Sequence, residues 1–168
     1  VKALYEPLYW LYTSPIESKP FREPVNAVAL GLLDYFNFVT TPMSLRCVLD
    51  RIASGDYSNA PQVMQDVELI WANCKLYNGV DKPIWHQAQV CSNLLNERIT
   101  NARESALATE EEQDKVAQYI EEVNSDAFND KVLELLEAIE PGMVNDGELD
   151  LSRLTVRASR KLEALHAS

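Results

Sequence analysis

Apolar residues recur at intervals of three or four along most of the chain, which is the spacing of amphipathic helices. The first set, Leu4, Leu8 and Leu11, predicts a helix that Pro15 and Pro20 bring to an end. Further sets predict three more helices, with inward faces of Leu45, Val48, Leu49 and Ile52, then Val63, Val67, Ile70, Cys74 and Tyr77, then Ile84, Ala88, Cys91, Leu95 and Ile99. The pattern therefore predicts an all-α bundle.

Local signals place the ends of these helices. Gly55 stops the second, and Ser58 or Asn59 caps the third, whose first turn contains Pro61. The dipeptide Asn78-Gly79 ends the third helix, and Asp81 or Lys82 opens the fourth ahead of Pro83. The Pro-rich stretch between the first and second helices, up to Pro42, has no sustained period, and a loop of that length is usually functional.

The pattern changes beyond about Glu111. Two short amphipathic helices are predicted, one with Val116, Ile120 and Val123 and the next with Val132, Leu135, Leu136 and Ile139, closed by Pro141-Gly142. Residues 148–151 alternate with period two, as a half-buried strand does. Thr155 can cap a last helix that bears Leu162 and Leu165.

The predicted strand has no evident partner in the sequence and would leave an open edge. Such an edge can accept an extended peptide by strand addition. In that hypothesis Glu148 and Asp150 face basic side chains of the peptide, while Leu149 and Leu151 are held in the core. The alternative is that Glu148 and Asp150 form only a solvated strand face.

The net charge of −11 is unevenly distributed. Residues 1–109 carry 11 Asp and Glu against 9 Lys and Arg, whereas residues 110–168 carry 15 against 6. This change indicates a domain boundary. It also argues against direct nucleic-acid binding by the C-terminal part, because phosphate contacts need clustered Lys and Arg, and it favours basic partners.

Other compositional features exclude several classes of protein. The apolar stretches are short and interrupted by charge, and no leader is evident, so no membrane span is expected. Because the chain starts inside a helical pattern, we expect an excised fragment. Cys47, Cys74 and Cys91 are widely spaced and odd in number, which favours reduced core thiols over disulfides or a metal site.

Enzyme classes are disfavoured. His86 and His166 are the only histidines, and nothing in the sequence pairs either with a nucleophile. The five glycines form no phosphate-binding loop, so neither a catalytic site nor a cofactor is expected. The alternatives left open are a non-catalytic fragment of a larger acetyltransferase or ATPase, and an acidic helical adaptor that binds basic proteins.

The carboxamide of Asn78, where a helix ends, suggests a site for a neutral amide. An Asn side chain offers two N–H donors and a carbonyl acceptor, which match a secondary amide such as acetylated lysine. Tyr35 can add a polar contact, directly or through water, and Val25, Leu30, Leu32 and Ile84 can supply apolar walls. Two alternatives stay open: Asn78 as a simple helix terminator before Gly79, and Tyr35 as a core residue.

From about Pro20 to about Ile99 the chain resembles a bromodomain, the four-helix module that reads acetyl-lysine. The resemblance rests on Pro20-Phe21, Pro24-Val25, Asp34-Tyr35, Pro42-Met43, Leu45, Gly55-Asp56-Tyr57, Asp66, residues 73–78, Ile84 and Ala88, in the family's order and spacing. It implies a left-handed bundle with a long loop between the first and second helices.

The resemblance also implies roles for residues. Asn78 would bind the acetyl carbonyl, Tyr35 would act through a water, and Ile84 would be the gatekeeper at the pocket mouth. Phe21, Val25, Leu30 and Leu32 would line the loop side, and Pro20 and Tyr77 would belong to the same site. The family's Trp-Pro-Phe shelf reads Lys19-Pro20-Phe21 here, and only the methylene stem of a lysine can cover apolar surface.

Residues from about Asp114 to Leu165 resemble the extra-terminal (NET) domain that follows bromodomains in BET proteins. The resemblance rests on helix lengths, the Glu-Leu-Asp-Leu strand and Leu154, although residues 156–159 depart from the family's Pro-Ser-Thr-Leu. It predicts a bromodomain at 1–105, a linker at 106–113 and a small three-helix domain at 114–168, as in plant and protist proteins. The resemblance implies a nuclear protein that reads acetylated histone tails. It also implies that the C-terminal domain recruits chromatin regulators by binding their basic-hydrophobic motifs.

Overall fold

The structure, a computed structural model, describes residues 1–123, 126–145 and 148–167. It divides into two compact units, Val1–Ile99 and Thr100–Ser168, and each has its own hydrophobic core. No helix in the described ranges combines the length and the apolar character needed to cross a lipid bilayer.

Helices dominate the first unit. They are α1 (Tyr5–Thr13), α2 (Lys19–Arg22), α3 (Tyr35–Phe38), α4 (Leu45–Ser54), α5 (Ala60–Asn78) and α6 (Pro83–Glu104), the last of which extends beyond residue 99. Helix α1 packs on α4, and α4 packs on α5. The predicted helical bundle is confirmed for this unit, whereas its left-handed arrangement stays a prediction.

The core of the first unit consists of the predicted apolar faces. The side chains that are at most 1% exposed include Leu8, Leu11, Leu45, Val48, Val63, Val67 and Leu95. Burying such a side chain contributes about 1.5–3 kcal/mol relative to leaving it in water. These residues belong to α1, α4, α5 and α6, so one hydrophobic core joins the four longer helices of this unit.

The predicted helix ends are confirmed. Gly55 has φ of 79°, a left-handed conformation that ends α4, and the side chain of Asn59 accepts a hydrogen bond from the Gln62 amide at 3.0 Å to cap α5. Asn78 is the last residue of α5, and α6 begins at Pro83. The carboxamide of Asn78 is therefore fixed at a helix terminus.

The long loop between α1 and α4 is partly ordered by a small core of its own. Ala27, Tyr35 and Val39 are buried together, and Val25, Leu32 and Tyr77 pack against them. Helices α2 and α3, which the sequence pattern did not predict, are single turns within this segment. The loop is thus a packed structure that contacts α5 through Tyr77.

Three further helices make up most of the second unit, α7 (Glu110–Val123), α8 (Asp126–Ile139) and α9 (Val156–His166). All three agree with the predicted helical segments, and Thr155 caps α9 by accepting a hydrogen bond from the Ala158 amide at 3.3 Å. Their shared core includes the buried side chains of Val116, Val132, Leu136, Met143, Leu154, Ala158 and Leu162.

The strand predicted at residues 148–151 is shorter than expected. Strand β2 covers only Glu148–Leu149, and Leu151 begins a 3₁₀ turn (Leu151–Arg153). The expectation that this strand has no partner is wrong, because β2 pairs antiparallel with β1 (Val144–Asn145), Val144 opposite Leu149. The alternation of residues 148–151 stops early because the Asp150 side chain caps the turn, accepting from the Ser152 amide at 3.1 Å.

Part of the segment predicted as a linker, residues 106–113, is packed into the second unit. The Ala108 amide donates to the Leu154 carbonyl at 2.6 Å, and the Val156 amide donates to the Ala106 carbonyl at 2.9 Å. Ala108 is buried in the core of that unit. Residues 106–108 are therefore not a free linker, since their backbone groups pair with the approach to α9.

Candidate functional site

A small cavity lies in the first unit between the long loop and the ends of α5 and α6. It contains about 50 Å³ of space that the centre of a water molecule can reach, enough for a few waters or a small acyl group. Its lining residues are Pro20, Phe21, Glu23, Val25, Tyr35, Met43, Ile70, Asn73, Cys74, Asn78 and Ile84. Most of this lining is apolar, with polar groups at a few points.

Asn78 supplies the cavity with a carboxamide. Its Nδ2 donates to the Cys74 carbonyl one turn earlier in α5, at 2.9 Å, and lies 3.8 Å from the Cys74 sulfur. Within the described residues, no protein donor reaches its Oδ1. Because the group has two N–H bonds and a carbonyl oxygen, it keeps hydrogen-bonding capacity for a ligand while its orientation is fixed by α5.

Tyr35 supplies a hydroxyl. The side chain is 5% exposed, and its hydroxyl has no hydrogen-bond partner among the residues that the structure describes. Burial raises the pKa of the Tyr35 hydroxyl above its usual value of 10.0, and the nearby Cys74 side chain raises it further. Tyr35 is therefore a neutral donor that needs a water or ligand as its partner.

Two hydrogen bonds hold the long loop against α5. The Asn73 Nδ2 donates to the Thr41 carbonyl at 2.9 Å, and the Tyr77 hydroxyl donates to the Asp34 Oδ1 at 2.9 Å. Asn73 is buried, so this contact fixes the loop where it covers the cavity. The helix that carries Asn78 also positions the loop that carries Tyr35.

The structure brings six of the nine predicted ligand-binding residues to one cavity. They are Pro20, Phe21, Val25, Tyr35, Asn78 and Ile84. Their contacts with a ligand stay predictions. Because the six side chains line one cavity, a single ligand could touch all of them.

The other three predicted residues do not line the cavity. Leu30 is 64% exposed, because it lies in a tight turn before Gly31, whose φ is 68°. Leu32 packs into the small core around Ala27 instead. Tyr77 borders a neighbouring open groove, where its hydroxyl is bonded to Asp34. Leu30 is therefore not a wall of this cavity, and Tyr77 positions the loop.

Sequence reasoning missed five lining residues, namely Glu23, Met43, Ile70, Asn73 and Cys74. Cys74 and Ile70 lie four and eight residues before Asn78 in α5, so helical spacing could have identified them. No sequence signal identifies Glu23, whose place depends on the path of the loop.

The neighbouring groove adjoins the cavity. It is lined by Asp34, Phe38, Tyr77, Asn78, Lys82, Pro83, Ile84 and Gln87, and it shares Asn78 and Ile84 with the cavity. The Phe38 and Tyr77 rings meet edge to face, with centroids 6.0 Å apart. A peptide with one side chain in the cavity would have this groove beside it.

The cysteines are reduced, and two are buried. Burial raises the pKa of the Cys91 thiol from 9.0 to about 11 and also raises the pKa of Cys74, whereas Cys47 is partly exposed. Because the folded-state pKa of Cys91 exceeds 9.0, its contribution to stability is full below pH 9 and declines as the pH rises towards 11.

We therefore expect iodoacetamide at about pH 8, near the pKa of a free thiol, to label Cys47 first. Cys74 and Cys91 should react only after denaturation, because the reagent needs an accessible thiolate. Peptide mass spectrometry of native and denatured samples measures this order. Rapid labelling of Cys91 in the native protein would contradict a buried neutral thiol.

The predicted peptide-binding strand of the second unit is only partly described. Leu149 and Leu151 are half-buried and pack against the core, as expected. Asp150 is exposed, and its carboxylate accepts from both the amide and the hydroxyl of Ser152. The side chain of Glu148 lies outside the part of the chain that the structure describes. The edge of β2 opposite β1 carries no other strand among the described residues.

No cluster of three or more His, Cys, Asp or Glu with the geometry of a metal site occurs within the described ranges. His166 stacks on Tyr119 and faces Glu122, within the second unit. His166 therefore makes packing contacts within the second unit.

The part of the chain that forms this cavity is similar to known proteins. A family model described as Bromodomain matches residues 10–90. Transcription factor GTE3, chloroplastic, of Arabidopsis thaliana is 37% identical over 78 residues, 46% of this chain and 17% of that protein. Bromodomain-containing protein C631.02 of Schizosaccharomyces pombe is 37% identical over 68 residues, 40% of this chain and 9% of that protein.

A solved structure, PP-BRD20 from Tb427tmp complexed with BI-2536, is 44% identical and superposes with a TM-score of 0.58. The match covers 60% of this chain and 86% of that one. This chain spans less than a fifth of either curated relative. Residues 10–90 of this chain belong to the bromodomain family.

Proposed function

We propose that the first unit binds acetylated lysine of histone tails or other proteins, in the nucleus, and that the chain is a non-catalytic reader. The observation that carries this proposal is the carboxamide of Asn78 beside a narrow, mostly apolar cavity that also contains the unpartnered Tyr35 hydroxyl. A secondary amide can use both groups, Asn78 directly and Tyr35 directly or through a water.

Selectivity for the acetylated form follows from charge. An ammonium group placed in such a cavity would lose its hydration, at an effective cost of several kcal/mol. The hydrogen bond from Asn78 itself contributes only about 0.5–1.5 kcal/mol net. Glu23, the one charged lining residue, is exposed, so its attraction for an ammonium is screened and amounts to at most about 1 kcal/mol. Rejection of unmodified lysine therefore dominates.

Calorimetric titration of the whole chain with one histone-tail peptide, acetylated and unmodified, tests the proposal. We expect the acetylated form to bind at least about tenfold more tightly, a difference of about 1.4 kcal/mol. Equal affinities would favour the alternative, an acidic helical adaptor without acetyl dependence. Assays of acetyl transfer and ATP hydrolysis with the purified chain test the enzymatic alternative, and we expect neither activity.

The second unit, in this proposal, is an extra-terminal domain that recruits chromatin regulators, in a single-bromodomain BET-type arrangement. Its support is the acidic excess of residues 110–168 together with the unoccupied edge of β2. A basic-hydrophobic peptide could extend the two-stranded sheet at that edge and place its lysines near Glu148 and Asp150.

The double substitution Glu148→Gln and Asp150→Asn tests this role. It removes two charges but keeps polar side chains, including a cap for the turn at Leu151–Arg153. Since exposed ion pairs contribute about 0.2–1 kcal/mol each, affinity for a Lys-rich hydrophobic peptide should fall roughly two- to thirtyfold. Fluorescence anisotropy measures the change. The control is the double substitution Glu137→Gln and Glu163→Gln, which removes the same number of charges from α8 and α9. Unchanged affinity would leave the strand-docking role without support.

A further inference from the structure

Glu23 differs from every other residue that lines the cavity, because it alone is charged. It follows α2, and its side chain is exposed at the edge of the cavity. The Tyr12 hydroxyl donates to its Oε1 at 2.5 Å, across eleven residues of sequence. This bond raises the pKa of Tyr12 and ties the carboxylate to α1, so its position at the rim is fixed.

No cation of the protein neutralises Glu23 among the described residues. The neighbouring guanidinium, Arg22, is turned away, since it donates to the Ser18 hydroxyl at 3.0 Å and to the Pro15 carbonyl at 2.9 Å. Arg46 forms its ion pair with Asp50 and lies near the Tyr12 hydroxyl that bonds Glu23, but no ion pair joins Arg46 to Glu23 among the described residues. The Glu23 carboxylate is therefore exposed at the edge of the cavity and has no ion-pair partner among the described residues.

We propose that Glu23 is a specificity-determining residue that binds a cationic side chain adjacent to the acetyl-lysine. The preferred ligand class is thus a peptide with acetyl-lysine near an unmodified lysine or arginine. This inference rests on the proposed reader function and deepens it, because it concerns the residues that flank the acetyl group.

The groove on the other side of Asn78 and Ile84 does not offer the same attraction. It contains Lys82 as well as Asp34, and the Asp34 carboxylate already accepts the Tyr77 hydroxyl. The two charges offset each other for a ligand in the groove. Glu23 borders the cavity but not the groove, and Lys82 borders the groove but not the cavity. A peptide cation is therefore favoured on the Glu23 side.

The test uses the whole chain and a set of peptides with one acetyl-lysine in a neutral background. A single lysine is moved through the flanking positions, and norleucine at the same position provides the uncharged comparison. Affinities are measured for the unaltered chain, for Glu23→Gln and for Glu97→Gln, which makes the same charge change on an exposed residue of α6 that does not line the cavity.

We expect lysine at one flanking position to bind about two- to fivefold more tightly than norleucine, the range of an exposed ion pair. Glu23→Gln should remove this preference and Glu97→Gln should keep it, and high salt should weaken it. If Glu23→Gln changes the affinities of the lysine and norleucine peptides equally while the chain still prefers acetylated peptide, this inference is overturned and the proposed function stands. If the unaltered chain binds acetylated and unmodified peptides with equal affinity, the proposed function is overturned and this inference with it.

Discussion

Replacing Asn78 with alanine is expected to weaken binding of acetylated peptide strongly and so to narrow the preference of the chain for the acetylated form. The substitution removes the only carboxamide at the end of α5 and leaves the acetyl carbonyl without its donor in a desolvated cavity. An unsatisfied buried acceptor costs about 1–3 kcal/mol, so the affinity for acetylated peptide should fall roughly 5- to 150-fold. Titration calorimetry measures the loss.

Two controls distinguish this result from unfolding. Asn96→Ala makes the same chemical change at an exposed position of α6 and should leave binding unaltered. Because the Asn78 side chain also bonds the Cys74 carbonyl, thermal unfolding of Asn78→Ala should be recorded, and a loss of about 1 kcal/mol or less is expected from that bond. An unchanged affinity for acetylated peptide in a folded Asn78→Ala variant would place the site elsewhere.

Replacing Asn73 with alanine is expected to destabilise the first unit and loosen the loop, with acetyl preference retained. The substitution leaves the Thr41 carbonyl without its buried donor, which costs about 1–3 kcal/mol. For a unit of about 100 residues, each kcal/mol lowers the melting temperature by roughly 4–8 °C. Calorimetric unfolding measures this change.

The effect of Asn73→Ala on binding has a different signature from that of Asn78→Ala. Val25, Tyr35 and Met43 lie on the loop that Asn73 holds, so a looser loop weakens binding of the acetylated peptide through added ordering cost. The carboxamide of Asn78 is still present, so the acetylated form should stay preferred. A variant as stable as Asn96→Ala would show that the contact with Thr41 does not hold the loop.

Much of the fold follows from local signals. Gly55 supplies a left-handed residue, Asn59 a cap, and Asn78-Gly79 a break, and each acts within one helical turn. The apolar spacing selects which face of each helix is buried. The longer helices of both units, and the position of Asn78 at a helix end, could therefore be predicted from the sequence, whereas the single turns α2 and α3 could not.

The path of the long loop could not be predicted in the same way. Its placement depends on contacts between distant residues, such as Asn73 with Thr41 and Tyr12 with Glu23. No period in the sequence encodes such contacts, so Leu30 was expected in the cavity wall and Glu23 was not. The residues that line the loop side of the site are determined by tertiary packing.

The pairing of β2 with β1 was also not predicted from the sequence, but for a different reason. The dipeptide Asp146-Gly147, which separates Val144–Asn145 from Glu148–Leu149 in the sequence, is a common hairpin signal. Met143 and Val144 are only two adjacent apolar residues, which are too few to show the alternating apolar and polar pattern of a strand. The turn dipeptide was thus the better predictor of strand pairing here.

The structure of the whole chain bound to an acetyl-lysine peptide tests the central claim most directly. We expect the acetyl group in the cavity beside Tyr35 and Ile84, with its carbonyl oxygen about 2.7–3.2 Å from the Asn78 Nδ2. We also expect the Asn78 amide to keep its bond to the Cys74 carbonyl. An acetyl group bound away from this cavity, or an Asn78 side chain turned out of it, would contradict the account.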